Sequence, residues 1–188
     1  MALRLTPSPL ALHLGTHGDR RFVWDAIADN GSCGISVSDS LPIEVSHFLA
    51  AQADVTNRLV ITDSPDRWAG HQHVSPDDIG EIAVRIQPIL ERPDRLSLAM
   101  LVFDVTSEKW TAELAHLSDV MRRQGRSYGM YVLVRSPIDA TQEDSHAVPF
   151  PMVLAPSTRG TFPELQVRYH SDSRQWEQRP LTIDLEPA

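Results

Sequence analysis

The chain has 188 residues, 41% hydrophobic and 22% charged, which suffices for one domain with a substantial core and excludes a disordered chain. A formal charge of −8 excludes a broad phosphate-binding face, so no nucleic acid is expected as a partner. The lone cysteine, Cys33, excludes an intrachain disulfide, and no apolar run approaches the roughly 18 residues that span a bilayer. With no basic-then-apolar leader, the reading is a cytoplasmic protein without direct membrane insertion.

The division expected along 1–188 is a lead-in over 1–33, a βα core over 34–137, and a loop with antiparallel strands over 138–188. Residues 1–14 read as an extended lead-in broken at Pro7 and Pro9. Phe22, Val23, Trp24 and Ile27 predict a helix over 19–29, stopped by Asn30 and Gly31. Residues 34–40 (GISVSDS) read as a short strand, and Pro42 opens a helix over 43–53 with Val45, Phe48 and Leu49 inward. RLVIT, 58–62, is a second strand, followed by a polar irregular stretch over 63–78. Ser75 and Pro76 then suit the N-cap and first turn of a helix whose apolar face is Ile79, Ile82, Ile86 and Ile89.

After Pro93 comes the clearest periodicity in the chain. A strand over 96–103 leads to a helix over 107–124, with Trp110, Leu114, Leu117 and Met121 on one side, a Gly125 stop, and a strand over 130–135. Residues 138–149 read as a loop and 152–154 as a short strand. Residues 165–169 and 176–185, separated by Ser171, Asp172 and Ser173, predict an antiparallel hairpin. Repeated βα units followed by such a hairpin predict an α/β fold with a mostly parallel sheet, helices on both faces and an antiparallel C-terminal hairpin.

This order resembles RecA- and KaiC-like NTPases. LAMLVFD, 98–104, looks like a Walker B strand with Asp104 in the acidic position. RRQG, 122–125, GMYVLV, 129–134, and ELQVRYHSDSRQWEQRPLTIDL, 164–185, continue the pattern into a closing hairpin. The resemblance implies a three-layer αβα, RecA-like domain. It departs from the family at the phosphate-binding loop, which needs glycines, a Lys and a Ser/Thr. SDSLPIE, 38–44, has neither glycine nor lysine, and in LGTHGDRR, 14–21, Gly15 and Gly18 are followed by Asp19 where a lysine is needed. ATP hydrolysis by the familiar route is therefore not expected. Asp104 is read as vestigial, and no catalytic residue or cofactor is assigned.

Domains of this kind without the loop act as interaction modules. The chain resembles the N-terminal domain of BcsE regulators of bacterial cellulose secretion, through residues 30–38, 98–117 and 165–176. A SulA-like cell-division inhibitor that binds a polymerising partner is the second resemblance. Both imply a regulatory domain whose partner is another protein, such as a genuine ATPase or a second copy.

Several residues are candidates beside plainer readings. Trp68 with Arg67, in the polar stretch, suits an exposed interface anchor. Arg122, Arg123 and Arg126 read as a solvated helix end whose cations suit the dipole, or as a contact for an acidic partner. His71, His73 and Asp63 are weak metal-ligand candidates in a loop rich in ordinary His and Asp, and no metal is assigned. A competing reading uses these with Asp104 as a metal-dependent enzyme on a Rossmann-like sheet. Ser36, Ser38, Ser40 and Asp39 lack the G-x-S-x-G elbow of a hydrolase, and Cys33 reads as a small packing residue.

Overall fold

The computed structural model of the chain describes residues 10–25, 33–136, 150, 152–157, 161–170 and 176–183. The strands are β1 (Leu12–His17), β2 (Arg20–Trp24), β3 (Gly34–Ser38), β4 (Arg58–Thr62), β5 (His73–Val74), β6 (Ala99–Asp104), β7 (Met130–Ser136), β8 (Met152–Pro156), β9 (Glu164–His170) and β10 (Trp176–Thr182). The helices are α1 (Ile43–Ala50), α2 (Ile79–Glu91) and α3 (Ala112–Gln124). The strands form one 10-stranded sheet in the order β2-β1-β10-β9-β8-β3-β7-β6-β4-β5. From β8 to β5 the pairs are parallel. From β8 to β2 they are antiparallel. The chain is thus an α/β protein with a mixed sheet whose central part is parallel.

The central strands β4, β6 and β7 carry near-continuous apolar runs because both of their faces are covered, and in β3 Ile35 and Val37 alternate with the buried Ser36 and Ser38. Ile35, Val37, Val60, Met100, Val102 and Leu133 join one core with Val45 and Leu49 of α1. Leu59, Ile61, Leu101, Phe103, Val132 and Val134 join the other with Ile82, Ile86 and Ile89 of α2 and Leu114 of α3. The first core also takes Leu12 and Leu14 of β1, Leu165 and Val167 of β9, and Leu181 of β10.

The helix expected over 19–29 is absent through Trp24, where β2 stands instead; residues 26–32 lie outside the described residues. Two features decide it. Gly18, with φ +57°, lets the chain reverse between β1 and β2. Arg21 and Val23 are exposed while Trp24 is buried and Phe22 partly so, the period of a strand. The lead-in therefore joins the sheet through β1 and β10.

Other boundaries move for local reasons. The α2 N-cap is Asp78, whose carboxylate accepts from Glu81 N at 2.8 Å, so Ser75 and Pro76 precede the helix. Residues 107–124 divide into a 3-10 turn, Ser107–Lys109, and α3, capped by Thr111 accepting from Leu114 N. Gly125 has right-handed φ −52° and continues into the 3-10 turn Gly125–Tyr128. The left-handed stop falls on Gly129, φ +61°, where a Cβ would lie 2.3 Å from Arg95 O. The C-terminal hairpin forms as β9 and β10, while the loop expected over 138–149 and the turn over 171–173 lie outside the described residues. No helix among the described residues is long and apolar enough to cross a membrane.

Candidate functional site

Open parallel sheets offer ligand sites beyond the carboxyl ends of their strands. Here a cleft of about 260 Å³ opens beyond β3, β4, β6 and β7, lined by Asp39, Asp63, Arg67, Asp104, Thr106 and Arg135 among others. Parallel pairing puts Asp104 of β6 directly beside Arg135 of β7.

Both side chains are buried, Asp104 at 5% exposure and Arg135 at 3%. Arg135 Nε lies 3.4 Å from Asp104 Oδ1 as an ion pair, without the alignment of a hydrogen bond. The other guanidinium nitrogens turn towards the segment after β3. They donate to Ser46 Oγ at 3.0 Å, Asp39 O at 3.0 Å and Leu41 O at 2.9 Å. Burial pulls the Arg135 pKa below its ordinary value, and the Asp104 carboxylate opposes that shift. An arginine stays charged even so, which explains why this one is ringed by acceptors.

The second oxygen of Asp104 accepts from Trp68 Nε1 at 2.7 Å. Trp68 ends a 3-10 turn, Pro65–Trp68, and is 0% exposed. This corrects the expectation of an exposed anchor: the indole points inward and supplies a donor to a buried carboxylate. Its neighbour Arg67 stays partly in solvent, with a guanidinium nitrogen 3.5 Å from Asp104 Oδ1. His47 of α1 packs edge-on against Trp68 at 4.7 Å and stacks on His71 at 5.2 Å. His47 Nε2 also donates to Arg67 O at 2.9 Å, fixing the turn to α1. Burial lowers the His71 pKa, helped by the charges of Arg58 and His47, against hydrogen bonds to Ala69 and Trp68 that raise it.

Asp63 faces a different partner. Its carboxylate accepts from Thr106 N at 3.0 Å, Thr106 Oγ1 at 2.5 Å and Ser64 Oγ at 3.2 Å. Partial burial raises its pKa, but these bonds more than offset it, so the net shift is downward. His73 is exposed and bonds only locally, to His71 O at 3.0 Å. Asp63, His71, His73 and Asp104 thus point to separate partners. Among the described residues, no group of three or more His, Cys, Asp or Glu is arranged to hold a metal ion.

The arginines of 122–126 do not form one solvated cluster. Arg122 is 4% exposed, bonds Asp119 at 2.6 Å and lies over the Phe150 ring. Its aliphatic stem crosses Gly34, where a Cβ would come within 2.2 Å of Arg122 Cδ. Arg123 is exposed and paired with Asp119 at 2.9 Å, and Arg126 lies in the following 3-10 turn. Cys33 is buried, and burial pushes its thiol up to about 12, which fits a packing residue.

Sequence reasoning missed Arg135, Ser46 and His47. One signal was available for Arg135: a lone cation ending the apolar run MYVLVR, in the strand after the one that ends in Asp104.

No family model matches the chain, and no curated protein matches it. Among solved structures it is similar to Thermomonospora curvata EccC (ATPases 2 and 3) in complex with a signal sequence peptide, with a TM-score of 0.56 at 13% identity. The similarity covers 97% of this chain and 42% of that one, so this chain spans less than half of its neighbour's length. At that identity the likeness shows an ATPase-like fold and nothing of activity.

Proposed function

We propose that the chain is a non-catalytic protein-interaction domain on a degenerate, three-layer RecA-like NTPase fold. One observation carries the reading. Where a phosphate-binding loop would aim backbone N–H groups at an anion, the segment after β3 aims the carbonyls of Asp39 and Leu41 at the Arg135 guanidinium. The acidic residue at the end of β6 binds that same arginine and the Trp68 indole rather than standing open to a metal-nucleotide. What supports the reading is that the segment after β3 presents acceptors to a buried guanidinium instead of donors to an anion.

The finer reading, a regulatory scaffold similar to the BcsE N-terminal domain, rests on the resemblance of residues 30–38, 98–117 and 165–176. The peptide bound by the EccC ATPase domains is a property of that protein. It adds a precedent for protein recognition on this fold. Isothermal titration with ATP and Mg²⁺ tests the proposal: no binding is expected at millimolar nucleotide, and micromolar affinity would overturn it.

A further inference from the structure

Resting on that reading of a protein-binding domain, we infer that the groove between α2 and α3 is the docking site for an amphipathic helix of another protein, basic at one end. Both helices pack on one face of the sheet and precede neighbouring parallel strands, β6 and β7, so they run side by side in the same direction. Between them lies an open groove of about 550 Å³. Ile79, Ala83, Ala112, Leu117 and Val120 supply its apolar lining, and Glu113 and His116 its polar lining. Ile79 is 39% exposed although it belongs to the apolar stripe of α2. The inward positions of both helices are already filled by Ile82, Ile86 and Leu114, so the core leaves the groove residues to a partner.

Charge selects the kind of partner. Lys109 on the approach to α3 bonds Asp77 ahead of α2 at 2.8 Å, so the N-terminal ends of the two helices adjoin. At that end Asp77 pairs with Lys109, Glu81 with Arg85, and Asp78 caps α2, while Glu113 lines the groove itself, four acids to two bases. At the other end, Asp119 is engaged by Arg122 and Arg123. With two cations to one acid there, the groove runs from an acidic end to a basic end. From Ala112 to Val120 it offers roughly 12 Å, about two turns of a bound helix, at 1.5 Å per residue. A helix with leucines at i, i+3, i+4 and i+7 and lysines at one end fits both features. A second copy of this chain fits less well, since its net charge of −8 would set like charges against the acidic end.

The test uses the full chain and two synthetic helical peptides of about four turns, long enough to overhang the groove. They share one leucine stripe; one is lysine-headed and the other glutamate-headed. The lysine peptide should bind at least about tenfold more tightly at low salt, an advantage that shrinks as salt rises. Ala83→Glu, an exposed helix position that threatens no core contact, should weaken it by at least about tenfold. Equal affinities, no binding of either peptide, or an unaffected Ala83→Glu variant would overturn the inference. So would a homodimer in sedimentation that Ala83→Glu dissociates, because the groove would then belong to a second copy. Tight ATP binding would remove the broader reading without touching the peptide result, so the two failures are distinguishable.

Discussion

At the scale of single residues, Asp104 and Arg135 form a buried ion pair at the carboxyl ends of β6 and β7. Arg135 is held by Ser46, Asp39 and Leu41 as well as by Asp104. Removing either partner is unequal in consequence. Arg135→Met would leave a buried carboxylate facing only Trp68 and the half-solvated Arg67, and should cost about 3–5 kcal/mol. Asp104→Asn keeps an acceptor for Trp68 and leaves Arg135 its carbonyls, so about 1–3 kcal/mol is expected. Urea unfolding of both variants checks the order. His71 gives a pH prediction at the same scale. Its folded pKa lies below the ordinary 6.5, so near pH 6 the unfolded chain binds more protons. Stability therefore falls as pH drops through 6.5 towards the folded value, and levels off below it. His13, lowered by burial and by Arg21, acts in the same direction. The His71→Gln variant should lose stability less steeply between pH 7 and 5 while retaining the share due to His13. An unchanged slope would show that His71 titrates alike in both states.

At the scale of elements, legibility followed the strength of local signals. The strands β4, β6 and β7 are apolar runs and β3 alternates Ile35 and Val37 with serines, and nothing in them competes with extended structure. The first hairpin was not legible, because Phe22, Val23, Trp24 and Ile27 satisfy a helical pattern too. The reversal at Gly18 lets β2 pair with β1, and β10, some 160 residues later, joins that hairpin to the sheet through β1. Within the site, Asp104 could be read from its strand, whereas the carbonyl ring around Arg135 depends on how segments 38–46 and 130–135 meet in space. Helix α2 carries a conflict that periodicity conceals: Pro88 lies inside it, one turn after Val84. Proline cannot donate to the Val84 carbonyl and crowds it. Val84 is 63% exposed, so water can reach the orphaned carbonyl, and Ile86 and Ile89 hold the turn against the core. Pro88→Ala should therefore stabilise the protein by about 1–3 kcal/mol, seen as a higher melting temperature. A lower one would mean that the proline shapes the helix to fit its core.

At the scale of the molecule, the question is whether the antiparallel section is an appendage or part of the same cooperative unit. The sheet order puts β8 between the two sections, paired to β3 on one side and β9 on the other. Burial argues for one unit, since Leu12, Leu14, Leu165, Val167 and Leu181 share a core with Ile35, Met100 and Leu133. Tyr131 adds a specific tie. Its hydroxyl, in the central strand β7, lies 2.6 Å from Leu10 O and 3.1 Å from Trp24 O, at the two ends of the first hairpin. One O–H proton serves both carbonyls, and the ring packs against Trp24 at 5.1 Å. Tyr131→Phe keeps the ring but leaves two carbonyls without this donor, at a cost of about 1–3 kcal/mol. If the hairpin and the parallel strands unfold together, the whole transition should move to lower urea with an unchanged slope. Near-ultraviolet circular dichroism, to which Trp24 and Tyr131 contribute beside Trp68 and Trp110, should then coincide with far-ultraviolet loss of helix. If the hairpin were an appendage, part of the near-ultraviolet signal would be lost in an earlier step, and the first core would have to be divided between two units that share it.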